Sequence, residues 1–386
     1  MLTVEQALER ILAVAHPTEA ERVPLADALG RAPVETGLAS PIDVPPFANS
    51  AMDGYALRAA DLPGDLPVTG EVAAGTATLP TVEPGTAVRI MTGAPLPPGA
   101  DSVVPIEDAE ERDGRVRIEG TVALGRHVRE AGHDTRAGER IELPREPLTP
   151  ALLGVLASVG CTDLAVHRPP VVAILSTGDE LAAPGSQLRP GQIYDANSVA
   201  LAGAVREAGG EPLVLPRAPD VPAEIEQRVR EGIERADVLV ASGGVSVGRH
   251  DHVREIIEQL GSIDFWRIAI QPGKPLAFGA IRDRPVIGLP GNPVSALVTF
   301  ELFLRPLLRA MLGLPGDGRQ RVMAELDSGS RKDPARRAYL RARVTATPNG
   351  YAAALAGGQQ SSQLRSMGAS NALLVIPEGV PAAEAG

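Results

Sequence analysis

Cysteine, aromatic residues and positive charge are all scarce in this chain of 386 residues. Its only cysteine is Cys161, which excludes an intramolecular disulfide framework and favours the reducing cytoplasm as the predicted location. Aromatic residues make up 3% of the sequence, too few for a broad surface that stacks bases. The net charge of −11 argues against a general surface for nucleic acid or anionic lipid. We therefore expect neither nucleic acid nor a membrane as a partner.

Signals for export and for membrane spanning are also missing. The most apolar long stretch, residues 294–312, is interrupted by three charged side chains. Near the N-terminus, Glu5 and Glu9 occupy positions where an export signal would have a basic region followed by an apolar one.

Changes in composition and hydrophobic pattern along the chain predict several domains. A chain of 386 residues is long enough for them. Helical patterns flank a segment rich in proline, glycine and short β-prone runs, and alternating strands and helices follow it. We predict four parts: a helical linking domain (residues 1–44 and 136–168), an inserted β-rich domain (45–135), an α/β domain (169–316) and a small C-terminal β domain (317–386).

Two helices can be placed in the linking domain. Thr3 and Gln6 form a capping box at the start of an amphipathic pattern, which predicts a helix of about four turns. Thr149 followed by Pro150 begins a second helix, which we expect to stop at Gly160.

The α/β domain is predicted to be a doubly wound, mostly parallel sheet with helices on both faces. Its predicted strands are Val171 to Leu175, Pro212 to Leu215, Val238 to Ala241, Phe265 to Ile270, Leu276 to Phe278 and Val286 to Leu289. A long helix should begin at Asn292 and bend at Pro306. Because ligands in such sheets bind beyond the carboxyl ends of the strands, STGDE (176–180), SGGVSVG (242–248) and PGNP (290–293) should share one rim.

The SGGVSVG segment is predicted to bind an anion. Gly243, Gly244 and Gly248 permit positive φ and close approach of a ligand, and the following helix N-terminus favours negative charge. The segment matches neither the Walker loop nor the dinucleotide fingerprint, and a tight turn without a ligand is the alternative. The carboxylate of Asp251, where the loop meets the helix, favours the ligand site.

Three polar segments of the β-rich insertion are further candidates. NSAMDGYA contains Asp53, RIMTGAP contains Thr92, and VREAGHDT contains Arg129 and Asp134. Taken singly, each has a structural alternative, because Asp is common in turns and a Thr hydroxyl can cap one.

Taken together and in order, seven motifs resemble the molybdopterin molybdenumtransferases, the bacterial MoeA family related to the gephyrin E domain. The motifs are NSAMDGYA, RIMTGAP, STGDEL, GQIYDAN, SGGVSVG, QPGKP and GLPGNPVSA, spread over nearly the whole chain. The resemblance implies that molybdate and adenylylated molybdopterin are brought together, with AMP released as the metal enters the dithiolene. It also implies magnesium (Mg2+), an elongated subunit, a molybdopterin-binding α/β domain and a C-terminal β-barrel-like domain.

The resemblance assigns site roles to residues of this chain. The catalytic positions it implies are Asp53, Thr92, Asp134, Glu180, Asp220 and Asp251. The substrate-binding positions are Arg129, Ser242, Gly243, Gly244, Ser246, Lys274, Pro290, Asn292, Pro293 and Ser362. Glu180 and Asp251 would hold Mg2+, which prefers hard oxygen ligands. For Asp220 an N-cap of the next helix is the alternative role.

Lys274 is one of only two lysines in the chain, so its place within QPGKP favours a compact charge there. Where many relatives have lysines near this motif, the chain has Arg267 and Gln271, a change that bears on oxyanion binding. The chain also ends before a further strand that the resemblance implies for the last domain.

The resemblance further implies a homodimer with shared active sites, in which Asp53 and Thr92 face Glu180 and Asp251 of the other subunit. Other molybdenum cofactor biosynthesis proteins are the expected partners. Two alternatives stay open: a non-catalytic scaffold like some gephyrin relatives, and an adenylyltransferase or nucleotide pyrophosphatase on the same α/β domain. The sequence also leaves open whether molybdate or tungstate is the oxyanion.

Overall fold

A computed structural model describes residues 1–244, 252–265 and 267–386. The centre of the α/β domain is a six-stranded sheet with three parallel and two antiparallel pairings between neighbours. In order across the sheet its strands are Glu211–Val214, Val171–Ser176, Val238–Ser242, Arg284–Leu289, Ala277–Ile281 and Ser262–Phe265. The prediction of a mostly parallel α/β sheet is confirmed.

Both faces of this sheet are buried, as the near-continuous apolar strands require. Val172 and Ile174 point to one face, while Ala173 and Leu175 point to the other, and each set joins a separate buried cluster. The first cluster includes helix Ala196–Glu207 and the helices after residue 292, and the second includes helices Pro222–Arg235 and His252–Leu260.

The N-terminal helix packs against this α/β core. Its capping box forms as predicted between Thr3 and Gln6, but the helix runs only from Val4–Ala13. Val4, Ala7 and Ile11 lie in the same cluster as Val172 and Ile174, so the helix packs against residues distant in sequence.

The rest of the linking region contains strands that were not predicted. Ala20–Pro24 pairs with Asp163–His167, and Gly37–Ala39 pairs with Arg140–Glu142. Helix Pro150–Ser158 begins where expected, with Thr149 as its N-cap. Cys161 is half-buried, and its thiol donates to the Asp163 carbonyl oxygen at 3.2 Å.

The inserted segment folds as a six-stranded sheet plus one short strand pair. In order across the sheet the strands are Ser102–Pro105, Gly54–Leu57, Ala87–Ile90, Gly64–Val72, Arg115–Ile118 and Glu110–Arg112. The short pair is Asn49–Ser50 with Val128–Arg129. The β-rich character predicted for this segment is seen in the strands that begin at residues 87, 102 and 115.

The C-terminal sheet includes one strand from the α/β domain. Its main path is Ile270–Gln271, Arg337–Thr347, Gly350–Leu355 and Glu325–Leu326, with Ala372–Ile376 paired to the second of these. The predicted single strand Phe265 to Ile270 is therefore wrong, because its two ends belong to different sheets. Helix Leu364–Ala369 and the pair Ser330–Arg331 with Ala382–Ala383 complete this part.

The long helix after Asn292 is interrupted before Pro306. It consists of Pro293–Thr299, a π-helical segment Phe300–Leu304 and Arg305–Met311. Proline cannot donate the regular backbone hydrogen bond, and a wider turn ahead of it accommodates that loss. The predicted bend at Pro306 is thus a π-helical turn that precedes it.

The remaining elements are short. They are the strand pair Leu181–Ala182 with Ile193–Tyr194 and the 3-10 turns Leu25–Asp27, Ala59–Asp61 and Ile106–Asp108. Over the described ranges, none of the helices has the length and apolar character that crossing a membrane requires.

Candidate functional site

Three neighbouring parallel strands end at one rim, as predicted. Ser176, Ser242 and Leu289 are register partners at the carboxyl ends of their strands. The Thr177 N–H donates to the Ser242 carbonyl oxygen at 3.4 Å, and the Gly243 N–H donates to the Leu289 carbonyl oxygen at 3.2 Å. The STGDE and PGNP segments therefore leave the sheet beside the first residues of SGGVSVG, up to Gly244.

The side chain of Asn197 links two of these segments. Its Nδ2 donates to Ser242 Oγ and to the Gly291 carbonyl oxygen, both at 2.8 Å. Asn197 lies in the first turn of helix Ala196–Glu207, which Asp195 caps by accepting from the Ser198 N–H. Sequence reasoning quoted the GQIYDAN motif without singling out Asn197, although an amide in the first turn of a helix beside the rim was a usable signal.

Glycine is required at the start of the SGGVSVG segment because Thr177 and Val253 lie against it. Gly243 and Gly244 have φ of 95° and 68°. A Cβ on Gly244 would lie 2.7 Å from a Val253 methyl group and 3.2 Å from Thr177 Oγ1. The predicted site residues Ser246 and Asp251, with Gly248, lie outside the described residues, so the prediction for them stays a prediction.

An exposed acidic turn follows the first strand of the rim. The Asp179 N–H donates to the Asp220 carboxylate and the Asp220 N–H donates to the Asp179 carboxylate, both at 3.4 Å. The Glu180 carboxylate folds back over Gly178, where an added Cβ would lie 2.3 Å from Glu180 Oε2. The alternative role of Asp220 as an N-cap is wrong, because Val221 occupies that position and no side chain caps the helix.

The donor set at this turn suits a hard cation. Within residues 1–244, 252–265 and 267–386, no three His, Cys, Asp or Glu side chains converge as a complete metal cage. A phosphate-bound Mg2+ needs only one or two protein carboxylates, and its other ligands are phosphate and water oxygens. The exposed carboxylate of Glu180 therefore fits Mg2+, whereas a structural zinc site would need a closed set of four ligands.

A second group of predicted residues gathers at one end of the inserted domain. The Thr92 N–H and hydroxyl both donate to Asp53 Oδ1 at 2.7 Å. The backbone bond and then the hydroxyl bond lower the pKa of the Asp53 carboxyl below its ordinary value. Two of the predicted site residues, Asp53 and Thr92, are thus hydrogen-bonded to each other.

The short strand Asn49–Ser50 holds the three polar segments of the insertion together. It pairs with Val128–Arg129, and the Ser50 carbonyl oxygen accepts from the Gly93 N–H at 2.8 Å. The Asp134 N–H donates to the Val44 carbonyl oxygen at 2.9 Å, close in sequence to the same strand. As a result Arg129 and Asp134, both exposed, come from segments adjoining the one that carries Asp53.

A polar loop of the C-terminal domain, GQQSSQ (358–363), contacts the PGNP turn. Asn292 Nδ2 donates to Ser361 Oγ at 3.1 Å, and the Val294 N–H donates to the Ser361 carbonyl oxygen at 3.2 Å. Ser362 follows directly and is exposed, as is Lys274. Within this loop, sequence reasoning chose Ser362, but Ser361 makes the contacts with Asn292 and Val294.

Arg341 is a buried cation behind this loop that sequence reasoning missed. Its Nη2 donates to the carbonyl oxygens of Gly358 and Gln360 at 2.9 and 3.1 Å, and its Nε donates to Ser366 Oγ at 3.2 Å. Burial lowers the pKa of the guanidinium. An arginine inside the strand sequence AYLRA was a signal for a special role, because arginine is rarely buried without partners.

Buried polar atoms without a hydrogen-bond partner concentrate in these same segments. The described residues contain six such side-chain atoms. Four of them lie in the quoted motifs: Asn49 Oδ1, Arg89 Nε, Ser176 Oγ and Gln271 Oε1. A fifth, Arg341 Nη1, lies behind the GQQSSQ loop. Because buried polar atoms in folded proteins are normally paired, this concentration indicates groups arranged for a ligand as well as for the fold.

Comparison with known protein families covers most of the chain. Residues 2–160 match the MoeA N-terminal region (domain I and II), and residues 173–310 match the probable molybdopterin binding domain. Residues 323–386 match the MoeA C-terminal region (domain IV).

Individual relatives are similar over most of their length. The chain is 38% identical over 380 residues to Molybdopterin molybdenumtransferase 2 of Mycobacterium tuberculosis, covering 94% of this chain and 92% of that protein. It is 40% identical over 317 residues to Molybdopterin molybdenumtransferase of Haemophilus influenzae, covering 81% and 78%. The crystal structure of a molybdopterin biosynthesis MoeA protein from Pyrococcus horikoshii superposes with a TM-score of 0.85 at 35% identity, covering 100% of this chain and 97% of that one.

Proposed function

Because the chain belongs to the MoeA family of molybdopterin molybdenumtransferases, we propose that it inserts molybdate into adenylylated molybdopterin and releases AMP, as the last step of molybdenum cofactor synthesis. The observation that carries this proposal is the common rim of STGDE, SGGVSVG and PGNP, with the GQQSSQ loop directly beside it. Both substrates are anions, and this rim is where an α/β sheet binds ligands.

Glu180 and Asp251 are the residues proposed to hold Mg2+ against the phosphates. When bound, Mg2+ would balance the negative charge of the phosphate oxygens at the bond that is cleaved. The support for Glu180 is its exposed carboxylate at the end of a rim strand, near the paired aspartates 179 and 220.

Local positive charge is needed for the anions, because the chain as a whole carries a net charge of −11. We propose that Lys274 and the Ser361–Ser362 pair meet the oxyanion, with Arg341 behind the loop. The support is that the Arg341 guanidinium orients the loop by donating to Gly358 and Gln360 while its Nη1 stays unpaired. A fixed cation behind backbone carbonyls costs little reorganisation when the anion binds.

We further propose a homodimer in which each site is shared between subunits. In the described part of the chain, neither a hydrogen bond nor an ion pair links the pair Asp53 and Thr92 to the rim. Exposed apolar side chains flank both halves: Phe47 and Met52 beside Asp53, and Ile193 and Tyr194 beside Glu180. A two-fold axis would bring each apolar patch onto the other, so two equal sites would form together.

The proposed setting is the cytoplasm, with other molybdenum cofactor biosynthesis proteins as partners. The support for this setting is Cys161, which is a free thiol, as expected in a reducing compartment.

The test is AMP release from adenylylated molybdopterin with Mg2+ and molybdate, for wild type, Glu180→Gln and Glu119→Gln. Glu119 is a matched control because its side chain is 80% exposed on the inserted domain and forms an ion pair with its near neighbour Arg117. We expect Glu180→Gln to lower the rate by a factor on the order of 10², whereas Glu119→Gln keeps the wild-type rate. A wild-type protein that binds both substrates without releasing AMP would favour the scaffold alternative.

A further inference from the structure

The hydroxyl of Ser176 is buried at the rim without a hydrogen-bond partner. Ser176 is the last residue of the strand Val171–Ser176 and is 3% exposed. Its carbonyl oxygen accepts from the Ala218 N–H at 3.1 Å. Its Oγ is one of the six unpaired buried side-chain atoms among the described residues.

The serine on the neighbouring strand has the hydrogen-bond partner that Ser176 lacks. Ser176 and Ser242 are register partners, and each lies two residues after a member of the same buried cluster, Ile174 and Val240 respectively. Both side chains therefore lie on the face covered by helix Ala196–Glu207. Ser242 Oγ accepts from Asn197 at 2.8 Å, whereas Ser176 Oγ has no such bond.

An unpaired buried hydroxyl lowers the stability of the folded protein, because it has given up its bonds to water without replacement. A small apolar residue such as alanine would avoid that cost at this position. A hydroxyl there is explained if it forms its hydrogen bond in the ligand-bound protein. Serine has a single side-chain torsion with three staggered positions. Because Ser176 Oγ is unpaired, a rotation towards a ligand would break no existing hydrogen bond.

We propose that the Ser176 hydroxyl donates a hydrogen bond to a phosphoryl oxygen of the nucleotide-bearing substrate at the rim. The residues beside it fit an anion. Thr177 Oγ1 lies against the Gly243–Gly244 turn, within 3.2 Å of the place a Gly244 side chain would occupy, so hydroxyl and backbone groups converge there. This inference rests on the proposed function, because it assigns one contact within the same site.

The test compares AMP and adenosine as probes, in the presence of Mg2+, by calorimetric titration of the full-length protein. Adenosine lacks the phosphate, so the ratio of the two dissociation constants isolates the phosphate contact. The variants are Ser176→Ala and, as a matched control, Ser102→Ala. Ser102 is also a fully buried strand residue, but its Oγ donates to the Ala123 carbonyl oxygen at 3.2 Å, in the inserted domain.

For Ser176→Ala we expect AMP to bind about tenfold more weakly, since a hydrogen bond to a charged group is lost, while adenosine affinity is unchanged. The melting temperature without ligand should stay equal or rise, because an unpaired polar atom has been removed. Ser102→Ala should instead lower the melting temperature and leave AMP binding unchanged.

The inference is overturned if Ser176→Ala binds AMP as tightly as wild type, or if AMP and adenosine binding weaken equally. It is also overturned if wild type binds AMP no more tightly than adenosine, because the rim then has no site for the phosphate group. Any of these results can coexist with molybdate-dependent AMP release by wild type, which would leave the proposed function intact.

Discussion

At the scale of single residues, the bond between Asp53 and Thr92 has a measurable electrostatic signature. Two donors from Thr92 lower the pKa of the Asp53 carboxyl. In Thr92→Val the hydroxyl donor is lost and the backbone donor stays, so the pKa of Asp53 should rise part of the way to its ordinary value. A carbon-detected NMR titration of the Asp carboxyl resonances measures this.

Thr162→Val is the matched control for that titration. The Thr162 hydroxyl donates to Asp163 at 2.9 Å, and this bond also lowers the pKa of Asp163, after the bond from Arg22. The control should raise the pKa of Asp163 and leave the pKa of Asp53 unchanged. An Asp53 titration that is identical in wild type and Thr92→Val would show that the bond does not form in solution.

The sequence could predict which residues belong to the candidate site more readily than which of them contact each other. Asp53 and Thr92 were predicted as site residues, but their bond depends on the register between strands Gly54–Leu57 and Ala87–Ile90, which local sequence does not determine. Arg341 and Asn197 act through contacts with segments far away in the chain, and Ser176 is notable only because its surroundings offer no partner. Such properties belong to the assembled fold.

At the scale of elements, the strand that follows Asp53 depends on a glycine. A Cβ on Gly54 would lie 2.0 Å from the Val104 carbonyl oxygen, a backbone atom that cannot move without breaking the sheet. Gly54→Ala should therefore lower the free energy of unfolding by about 3 kcal/mol or more, as severe overpacking does. Chemical denaturation of the purified variant provides the measurement.

Gly120→Ala tests the same change in the same domain without a clash. Nothing lies within 4 Å of the place its Cβ would occupy, and its φ is not positive. We expect a change within about 1 kcal/mol, in the stabilising direction if the unfolded chain is restricted. Equal effects of the two substitutions would refute the steric role of Gly54.

Elements with a strong local pattern were predicted well, and those defined by distant partners were not. The buried strands around residues 171, 238 and 286 and the capped helix at Thr3 carry their signals in their own sequence. The prediction of one strand from Phe265 to Ile270 is wrong, because Phe265 belongs to the α/β sheet and Ile270 to the C-terminal sheet. The π-helical turn before Pro306 depends on packing that the proline alone does not specify.

At the scale of the whole molecule, the junction between the linking region and the α/β domain depends on Asp237. Its carboxylate accepts from Arg168 at 2.6 and 2.9 Å and from the Val171 N–H at 2.8 Å, and its side chain is 16% exposed. Burial alone would raise the pKa of this carboxyl, but the bonds from Arg168 and Val171 outweigh it and the net shift is downward.

Asp237→Asn should lower the free energy of unfolding by about 2 kcal/mol or more at neutral pH, because Arg168 loses a buried partner. A carboxyl with a lowered folded-state pKa stabilises the protein above its ordinary pKa of about 3.9, and this stabilisation is lost as the pH falls through the folded-state value. The difference between wild type and variant should therefore shrink below about pH 4. Asp113→Asn, on an 89% exposed side chain, is the control and should change little at any pH.

The shared-site dimer makes its own prediction at this scale. Asp53→Ala and Glu180→Ala subunits should each be inactive alone, but a heterodimer of the two has one site with both residues intact. We expect recovery of up to about half the wild-type activity per heterodimer. A verified heterodimer with no recovered activity would place both residues in the site of a single subunit.

Molybdate dependence of AMP release by the wild-type protein tests the account most directly. Purified protein is incubated with adenylylated molybdopterin and Mg2+ at a series of molybdate concentrations. The amounts of AMP and of metal-loaded cofactor are measured in the same samples. We predict that AMP release requires molybdate and that one AMP appears for each molybdenum inserted. AMP release at the same rate without molybdate would instead identify a nucleotide pyrophosphatase and contradict the assignment of this site.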